Sequence, residues 1–305
     1  MTVWLPYPYP RDLFAGLPLT GALCPSVDEL PGDPADVDVL VPPFLSFGPI
    51  IELTESMPNL RLVQLLSAGA DAWIGRLPDT VTLCDARGVH NASTAEWALT
   101  AMLTWLRTFP AFVRAQSEQH WLGRDEIGLA PELTGKRVLI VGAGAIGEAL
   151  AARVIACEAS VVKVARTARD SVYGVSDLPK LLPDVDVVVL LLPLTTETTG
   201  LVDASFLARM RDGALLVNAA RGPIVVTDAL VAELATGRIS AVLDVTDPEP
   251  LPDGHPLWSM PNVLITPHVG GAVAGLLPRA YRLVRTQLER YVAGEPLENV
   301  VTGDY

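Results

Sequence analysis

The chain has 305 residues, of which 50% are hydrophobic and 19% are charged. This length fits two domains of ordinary size, each with a substantial core. The 35 acidic residues outnumber the 22 basic residues and give a net charge of −13, which argues against binding to a nucleic-acid backbone. A small anionic substrate is still compatible with this charge, because a few arginines can reverse the local field inside a cleft.

Three cysteines, Cys24, Cys84 and Cys157, are odd in number and lack the spacing of a metal site. They favour a reduced, cytoplasmic protein, and no metal is predicted. The N-terminal residues lack a basic region followed by an apolar run, so no signal peptide is predicted. No apolar stretch is long enough to span a bilayer, and no membrane partner is expected.

Residues 1–92 alternate short apolar strands with turns, which predicts a small doubly wound parallel sheet. The candidate strands are Val3–Leu5, Gly21–Cys24, Val37–Val41, Leu62–Leu65 and Val81–Cys84. The loop of Ser67, Ala68 and Gly69 follows the C-terminal end of one strand, where such sheets usually bind ligands. Its small residues would expose backbone N–H groups to a carboxylate, although an ordinary tight turn fits them as well.

A helical pattern extends from Asn91 to about Phe109. Asn91 and Ser93 are candidate N-caps, and Glu96 would complete a capping box with Ser93. Apolar residues on most faces predict a well-buried helix that bridges two domains or forms a subunit interface. The polar residues 114–125 then predict a connection to the next strand.

The strand that begins at Arg137 breaks into G-x-G-x-x-G, with glycines at 142, 144 and 147. Gly142 would allow the tight turn, Gly144 the approach of a pyrophosphate, and Gly147 close packing of the next helix. That helix, predicted over residues 148–157, would direct free N–H groups at the phosphates. Ala145 and Ile146, just before it, are also predicted to contact the cofactor. A glycine turn without a ligand fits the motif alone, but its position between strand and helix favours a dinucleotide site.

Beyond Gly147 the apolar strands are nearly continuous, which is typical of a parallel sheet covered on both faces. Strands are predicted at Ser160–Ala165, Val185–Leu192, Ala214–Asn218, Ser240–Val245 and Val263–Thr266, and helices at Asp177–Leu182, Ala204–Arg211 and Thr227–Thr236. Together with the glycine-motif strand they make a six-stranded dinucleotide-binding domain over residues 93–271. A helix predicted over Leu276–Val292, within residues 272–305, would return to the first domain.

The residues after the second strand of this sheet predict a preference for NADP(H). Ala165 stands where an NAD site places Asp or Glu, and Arg166, Thr167 and Arg169 follow it. Guanidinium groups and a hydroxyl suit the dianionic 2′-phosphate, which Arg binds through paired, charge-assisted hydrogen bonds. A solvated basic turn is the alternative interpretation.

Three polar side chains follow consecutive strands of the same sheet: Arg221 the fourth, Glu249 the fifth and His268 the sixth. The carboxyl ends of parallel strands open on one crevice, so these side chains can converge on the nicotinamide. Each alone would fit a surface or structural residue. Their position at three successive strand ends favours a catalytic site.

The sequence resembles the D-isomer-specific 2-hydroxyacid dehydrogenase family over nearly its whole length. The matching stretches are Gly142–Gly147, Leu191–Thr195, Asn218–Gly222, Leu243–Pro250, Thr266–Gly271 and Gly294–Val301. We therefore expect two doubly wound parallel-sheet α/β domains, a Rossmann-type cofactor domain and a flavodoxin-like substrate domain, with a cleft between them. The resemblance also implies a homodimer built on the helix from Asn91.

The resemblance implies a catalytic set of Arg221, Glu249 and His268. It implies that Ser67, Ala68 and Gly69 help to hold the substrate carboxylate, and that Asp244 lies beside the nicotinamide carboxamide. The same motifs assign further cofactor contacts to Leu192, Pro193, Ala219, Ala220 and Gly270.

These residue types suit the reduction of a 2-oxo acid, and the Arg-Thr turn is similar to that of NADP-dependent glyoxylate/hydroxypyruvate reductases. Two alternatives stay open: a phosphite dehydrogenase of the same family, and a dinucleotide-sensing, corepressor-like binding protein. Formate is a less suitable substrate, because formate dehydrogenases have a similar set of residues but with Gln at the position that matches Glu249.

Overall fold

The computed structural model describes residues 1–10 and 12–303. Within these residues the strands are β1 (Thr2–Leu5), β2 (Thr20–Leu23), β3 (Val37–Leu40), β4 (Leu62–Gln64), β5 (Thr82–Cys84), β6 (Arg137–Val141), β7 (Ser160–Ala165), β8 (Tyr173–Gly174), β9 (Val187–Leu190), β10 (Leu215–Asn218), β11 (Ser240–Leu243) and β12 (Val263–Ile265). The α-helices are α1 (Pro49–Leu53), α2 (Asn91–Leu106), α3 (Phe109–Ser117), α4 (Arg124–Ile127), α5 (Ala145–Ala156), α6 (Leu178–Leu181), α7 (Ala204–Arg209), α8 (Thr227–Ala235) and α9 (Leu276–Ala293).

Unit 1 comprises residues 1–90 and the residues from 274 onward. Its five strands form a parallel sheet in the order β2-β1-β3-β4-β5, which is the order of flavodoxin-like folds. The C-terminal helix α9 contributes Ala280, Val284 and Leu288 to the core on one face of this sheet. After α9, Val300 pairs antiparallel with Cys84, so the C-terminal segment extends the edge formed by β5.

Unit 2 comprises residues 91–273 and contains a seven-stranded parallel sheet in the order β12-β11-β10-β9-β6-β7-β8. Helices cover both faces: α2 and α5 pack on one core, and α7 and α8 on the other. Because both faces are covered, all four residues of β9 and of β10 are buried. The predicted fold class is confirmed, and the short strand β8 is an addition to the six predicted strands.

The helix predicted from Asn91 ends at Leu106 instead of Phe109. Thr108 has a left-handed φ of 57°, and a second helix, α3, begins directly after it. Helix α3 therefore includes the first part of the polar connection over residues 114–125. Ser93 is a buried residue inside the first turn of α2 and not its N-cap, because the helix already begins at Asn91.

The helix after the glycine motif begins at Ala145, three residues earlier than predicted, so Gly147 lies within its first turn. Over the residues that the structure describes, no helix combines the length and apolarity needed to cross a membrane.

Candidate active site

The glycine turn between β6 and α5 has the shape that a dinucleotide requires. Gly142 has a φ of +116°, and a Cβ there would lie 2.2 Å from the carbonyl oxygen of Leu191. A Cβ on Gly147 would lie 2.2 Å from the carbonyl oxygen of Gly142, so neither position accepts a side chain. A Cβ on Gly144 would meet nothing within 4 Å. The backbone is thus open at the N-terminus of α5, where unpaired N–H groups fit a pyrophosphate.

The basic turn after β7 is exposed at Arg166, Thr167 and Arg169. The Nη2 atom of Arg169 donates a hydrogen bond of 2.8 Å to the carbonyl oxygen of Ala143, in the middle of the glycine turn. The main chain of Arg169 also pairs with that of Val172. Arg169 therefore links the basic turn to the glycine turn. Arg166 is the first residue after β7.

The loop that carries Arg221 is shaped by a residue that the sequence interpretation did not single out. Asn218, 1% exposed at the end of β10, donates from Nδ2 to the carbonyl oxygen of Arg221 and accepts the N–H of Ala220. A Cβ on Gly222 would lie 1.9 Å from the carbonyl oxygen of Thr246. The loops after β10 and β11 thus pack directly against each other.

His268 and Glu249 form the central pair of the site. His268 Nδ1 lies 2.7 Å from Glu249 Oε1, and the two side chains are 22% and 41% exposed. His268 has a φ of +53°, in the left-handed region, which costs a non-glycine residue about 1–3 kcal/mol. The surrounding hydrogen bonds must hold this conformation.

The carboxylate of Glu249 is favoured in its charged form. Burial raises the pKa of Glu249, but the hydrogen bond and charge of His268 lower it, as do the N–H of Thr246 and the charge of Arg221. The net result is a pKa below the ordinary value. Arg221, whose Nη1 donates to the carbonyl oxygen of Ala220, is therefore close enough to act on the same carboxylate.

Asp244 is 4% exposed at the end of β11, and the segment that carries His268 folds around its carboxylate. Oδ1 accepts the Thr266 hydroxyl at 2.6 Å and the Val269 N–H at 2.9 Å. Oδ2 accepts the Gly270 N–H at 2.8 Å, and the Asp244 carbonyl oxygen accepts the His268 N–H at 2.7 Å. These bonds were not foreseen from the sequence, because they depend on the left-handed conformation of His268.

The remaining predicted cofactor residues lie at the same edge of this sheet. Leu192 is buried and Pro193 exposed directly after β9, and Ala219 and Ala220 follow β10. A Cβ on Gly270 would lie 2.9 Å from Asp244 Oδ2 and 3.5 Å from Trp97 Cγ.

The predicted carboxylate loop belongs to unit 1 and follows β4. The hydroxyl of Ser67 donates to the carbonyl oxygen of Gly69 at 2.8 Å, and the carbonyl oxygen of Ser67 accepts the N–H of Ala86. Ser67 is buried, whereas Ala68 and Gly69 are half-buried. In the described part of the chain, no group of three or more His, Cys, Asp or Glu side chains is arranged to hold a metal ion.

We expect Glu249→Gln to lower the rate of carbonyl reduction and to flatten the acid limb of its pH profile. The pKa of the wild-type carboxylate is lowered, so Glu249 is ionised through the neutral range and becomes protonated only in acid. Glutamine does not titrate, and it lacks the charged hydrogen bond to His268 at every pH at which the wild-type carboxylate is ionised. The deficit of the variant should therefore narrow as the pH falls. Steady-state rates across the acid and neutral range measure this.

Glu126→Gln is the matched control for this variant, because Glu126 also pairs with a histidine, His120, at 2.8 Å, but on the surface. A Glu249→Gln profile that overlays the wild-type profile would contradict the assigned role of the carboxylate.

Comparison with known proteins identifies the family. A family model described as the NAD binding domain of D-isomer specific 2-hydroxyacid dehydrogenase matches residues 99–270. The glyoxylate reductase of Thermofilum pendens is 32% identical over 286 residues, which cover 89% of this chain and 83% of that protein.

Two solved structures are similar over nearly the whole chain. A D-isomer specific 2-hydroxyacid dehydrogenase from Xanthobacter autotrophicus, crystallised with NADPH and MES, is 33% identical with a TM-score of 0.82, over 99% of this chain and 97% of that one. An NADPH-dependent glyoxylate/hydroxypyruvate reductase from Sinorhizobium meliloti, in complex with NADP and sulfate, is 26% identical with a TM-score of 0.82, over 98% of each chain. The chain therefore belongs to the D-isomer-specific 2-hydroxyacid dehydrogenase family of NAD(P)-dependent oxidoreductases.

Proposed function

We propose that this protein reduces a small 2-oxo acid, of the size of glyoxylate or hydroxypyruvate, and uses NADPH in preference to NADH. The contact of 2.7 Å between His268 and Glu249 carries the proposal, because it pairs an imidazole with a carboxylate at the strand ends where the nicotinamide is expected. Relatives named glyoxylate reductase and glyoxylate/hydroxypyruvate reductase support the substrate class. A cytoplasmic location stays a prediction from the cysteine content.

The residues divide the chemistry between them. Arg221 binds the substrate carboxylate with two parallel hydrogen bonds and so fixes the orientation of the adjacent ketone. Bound NADPH supplies the hydride that adds to the carbonyl carbon. His268 polarises the carbonyl oxygen and donates a proton to it as negative charge develops there. Glu249 orients the imidazole of His268 through their hydrogen bond.

The residues that would hold the dinucleotide lie along the sheet edge of unit 2. Gly144 and the first N–H groups of α5 would bind its pyrophosphate, and Asp244 would lie beside its nicotinamide. Ser67, Ala68 and Gly69 remain proposed contacts of the substrate carboxylate, on the basis of their loop position and small size.

A panel of 2-oxo acids with both reduced cofactors tests the proposal. We expect NADPH oxidation with glyoxylate or hydroxypyruvate. Reduction of NADP⁺ by phosphite without turnover of any 2-oxo acid would replace the proposal with phosphite oxidation. Dinucleotide binding with no turnover of either kind would favour a binding protein.

The two arginines of the basic turn are expected to differ in effect. Arg166→Ala should raise the KM for NADPH on the order of 10-fold to 10²-fold and leave the KM for NADH nearly unchanged, because only the 2′-phosphate bond is lost. Arg169→Ala should weaken both cofactors, because Arg169 also holds the carbonyl oxygen of Ala143 in the glycine turn.

Cofactor titrations of both variants, with the exposed Lys180→Ala as control, measure these effects. If wild-type protein used NADH better than NADPH, the assignment of Arg166 to the 2′-phosphate would be wrong.

We also propose a homodimer. Helix α2, on which the dimer was predicted to form, packs Ala98 and Met102 into the core of unit 2. The segment that follows it exposes Val113 at 62%, Trp121 at 93% and Leu129 at 86%. Large apolar side chains on adjoining surface segments favour a protein partner, and closed two-fold dimers are the commonest oligomers.

The expected solution mass is therefore twice that of one chain, and Trp121→Asp combined with Leu129→Asp should halve it. Light scattering after size exclusion measures the mass, with Trp258→Asp, another exposed tryptophan, as control. A monomeric wild-type protein would contradict the proposal.

A further inference from the structure

The hydroxyl of Thr266 bonds to Asp244, the residue around which the His268 segment is folded. Thr266 Oγ1 donates to Asp244 Oδ1 at 2.6 Å, the shortest of the three bonds that this carboxylate accepts. The main-chain N–H of Thr266 donates to the carbonyl oxygen of Leu243 at 2.9 Å. Two hydrogen bonds thus attach Thr266 to the end of β11, one from its side chain and one from its main chain.

The conformation of His268 needs such support. Its φ of +53° is unfavourable for a residue with a Cβ, and it persists only where surrounding contacts determine it. The contacts are the N–H groups of His268, Val269 and Gly270, and all three converge on Asp244. The carboxylate must stay in one rotamer to accept two of them. Among the described residues, the Thr266 hydroxyl is the one side chain that donates a hydrogen bond to it.

We infer that Thr266 is a positioning residue: its hydroxyl fixes the Asp244 carboxylate, which holds the His268 turn so that the imidazole faces Glu249. The inference rests on the proposed 2-oxo acid reduction for its kinetic readout. It assigns Thr266 no contact with substrate or cofactor. A displacement of the imidazole by about 1 Å is enough to cost on the order of 10²-fold in rate.

Thr266→Val tests this, because valine keeps the volume and branching of threonine and removes the hydroxyl. We expect kcat for reduction to fall on the order of 10-fold to 10²-fold, with a smaller change in the KM for the 2-oxo acid. Thr266→Ser, which restores the donor, should recover most of kcat. Thr236→Val is the matched control, because the Thr236 hydroxyl bonds a main-chain carbonyl at the end of α8.

A second readout needs neither substrate nor cofactor. Diethyl pyrocarbonate acylates an imidazole nitrogen, so the rate of His268 modification at one fixed pH, followed by peptide mass spectrometry, reports how its ring is held against Glu249. We expect this rate to rise in Thr266→Val and Glu249→Gln alike, and the two changes not to add in the double variant. Modification of the exposed His120 in the same samples should not change.

A Thr266→Val protein that loses thermal stability but keeps the wild-type kcat and the wild-type rate of His268 modification would overturn the inference and leave Thr266 a purely structural residue. If the wild-type protein reduces no 2-oxo acid, the proposed function fails by itself. The rate of His268 modification then still decides whether Thr266 positions the imidazole.

Discussion

His268→Ala is expected to abolish detectable reduction of 2-oxo acids while NADPH still binds. The imidazole is the proposed proton donor and lies beside Glu249, and general acid catalysis by a positioned group contributes about 10²–10⁴-fold. The variant keeps the main-chain hydrogen bond of residue 268, because its N–H donates to the carbonyl oxygen of Asp244 whatever the side chain. Single-turnover reduction and the fluorescence of bound NADPH separate chemistry from binding.

The sharpest control is His120→Ala. His120 also bonds to a glutamate, Glu126 at 2.8 Å, but both side chains are 49% exposed. Loss of an exposed histidine–glutamate pair should change kcat by less than about twofold, because exposed ion pairs contribute little even to stability. Near-normal turnover in His268→Ala would remove the acid from the proposed mechanism.

The parts of the site that depend on strand ends and glycine spacing were predictable from the sequence. Strand β7 begins and ends as predicted, and the ends of β10, β11 and β12 lie within two residues of the predicted ones. Buried parallel strands are long apolar runs, so their ends are marked where polar residues begin. The contact between Glu249 and His268 follows from that rule together with the convergence of strand ends, whereas the catalytic roles of Arg221, Glu249 and His268 stay a prediction.

The supporting contacts were not predictable by the same means. Asn218 holds the Arg221 loop through two bonds across a tight turn, and Gly222 is required only because Thr246 packs on it. Both contacts depend on how the loops fold and pack in space. The order of residues along the chain does not give the distances between them. The left-handed His268, on which the contacts of Asp244 depend, likewise has no sequence signal, because histidine usually occupies other backbone regions.

The helix boundary at Thr108 shows a third limit. Apolar periodicity continues through Phe109, and the chain does remain helical on both sides of the break. The break is the two residues Arg107 and Thr108, of which Thr108 has the left-handed conformation, and Pro110 follows in the first turn of α3. Proline is tolerated in the first turn of a helix. Pro110 therefore marks the start of α3 only if α2 is already known to end before it.

Arg221→Ala is expected to raise the KM for the 2-oxo acid by about 10²-fold, because a charge-assisted hydrogen bond is worth about 1.5–3 kcal/mol. Arg221→Lys keeps the charge but not the planar fork, so it should recover only part of the loss. Arg211→Ala is the control, because Arg211 bonds Asp186 on the surface of the same unit. The KM for NADPH should not change, because the cofactor is proposed to contact the glycine and basic turns instead. An Arg221→Ala enzyme with a normal KM for the 2-oxo acid would mean that the substrate carboxylate binds elsewhere, although His268 could still act as the acid.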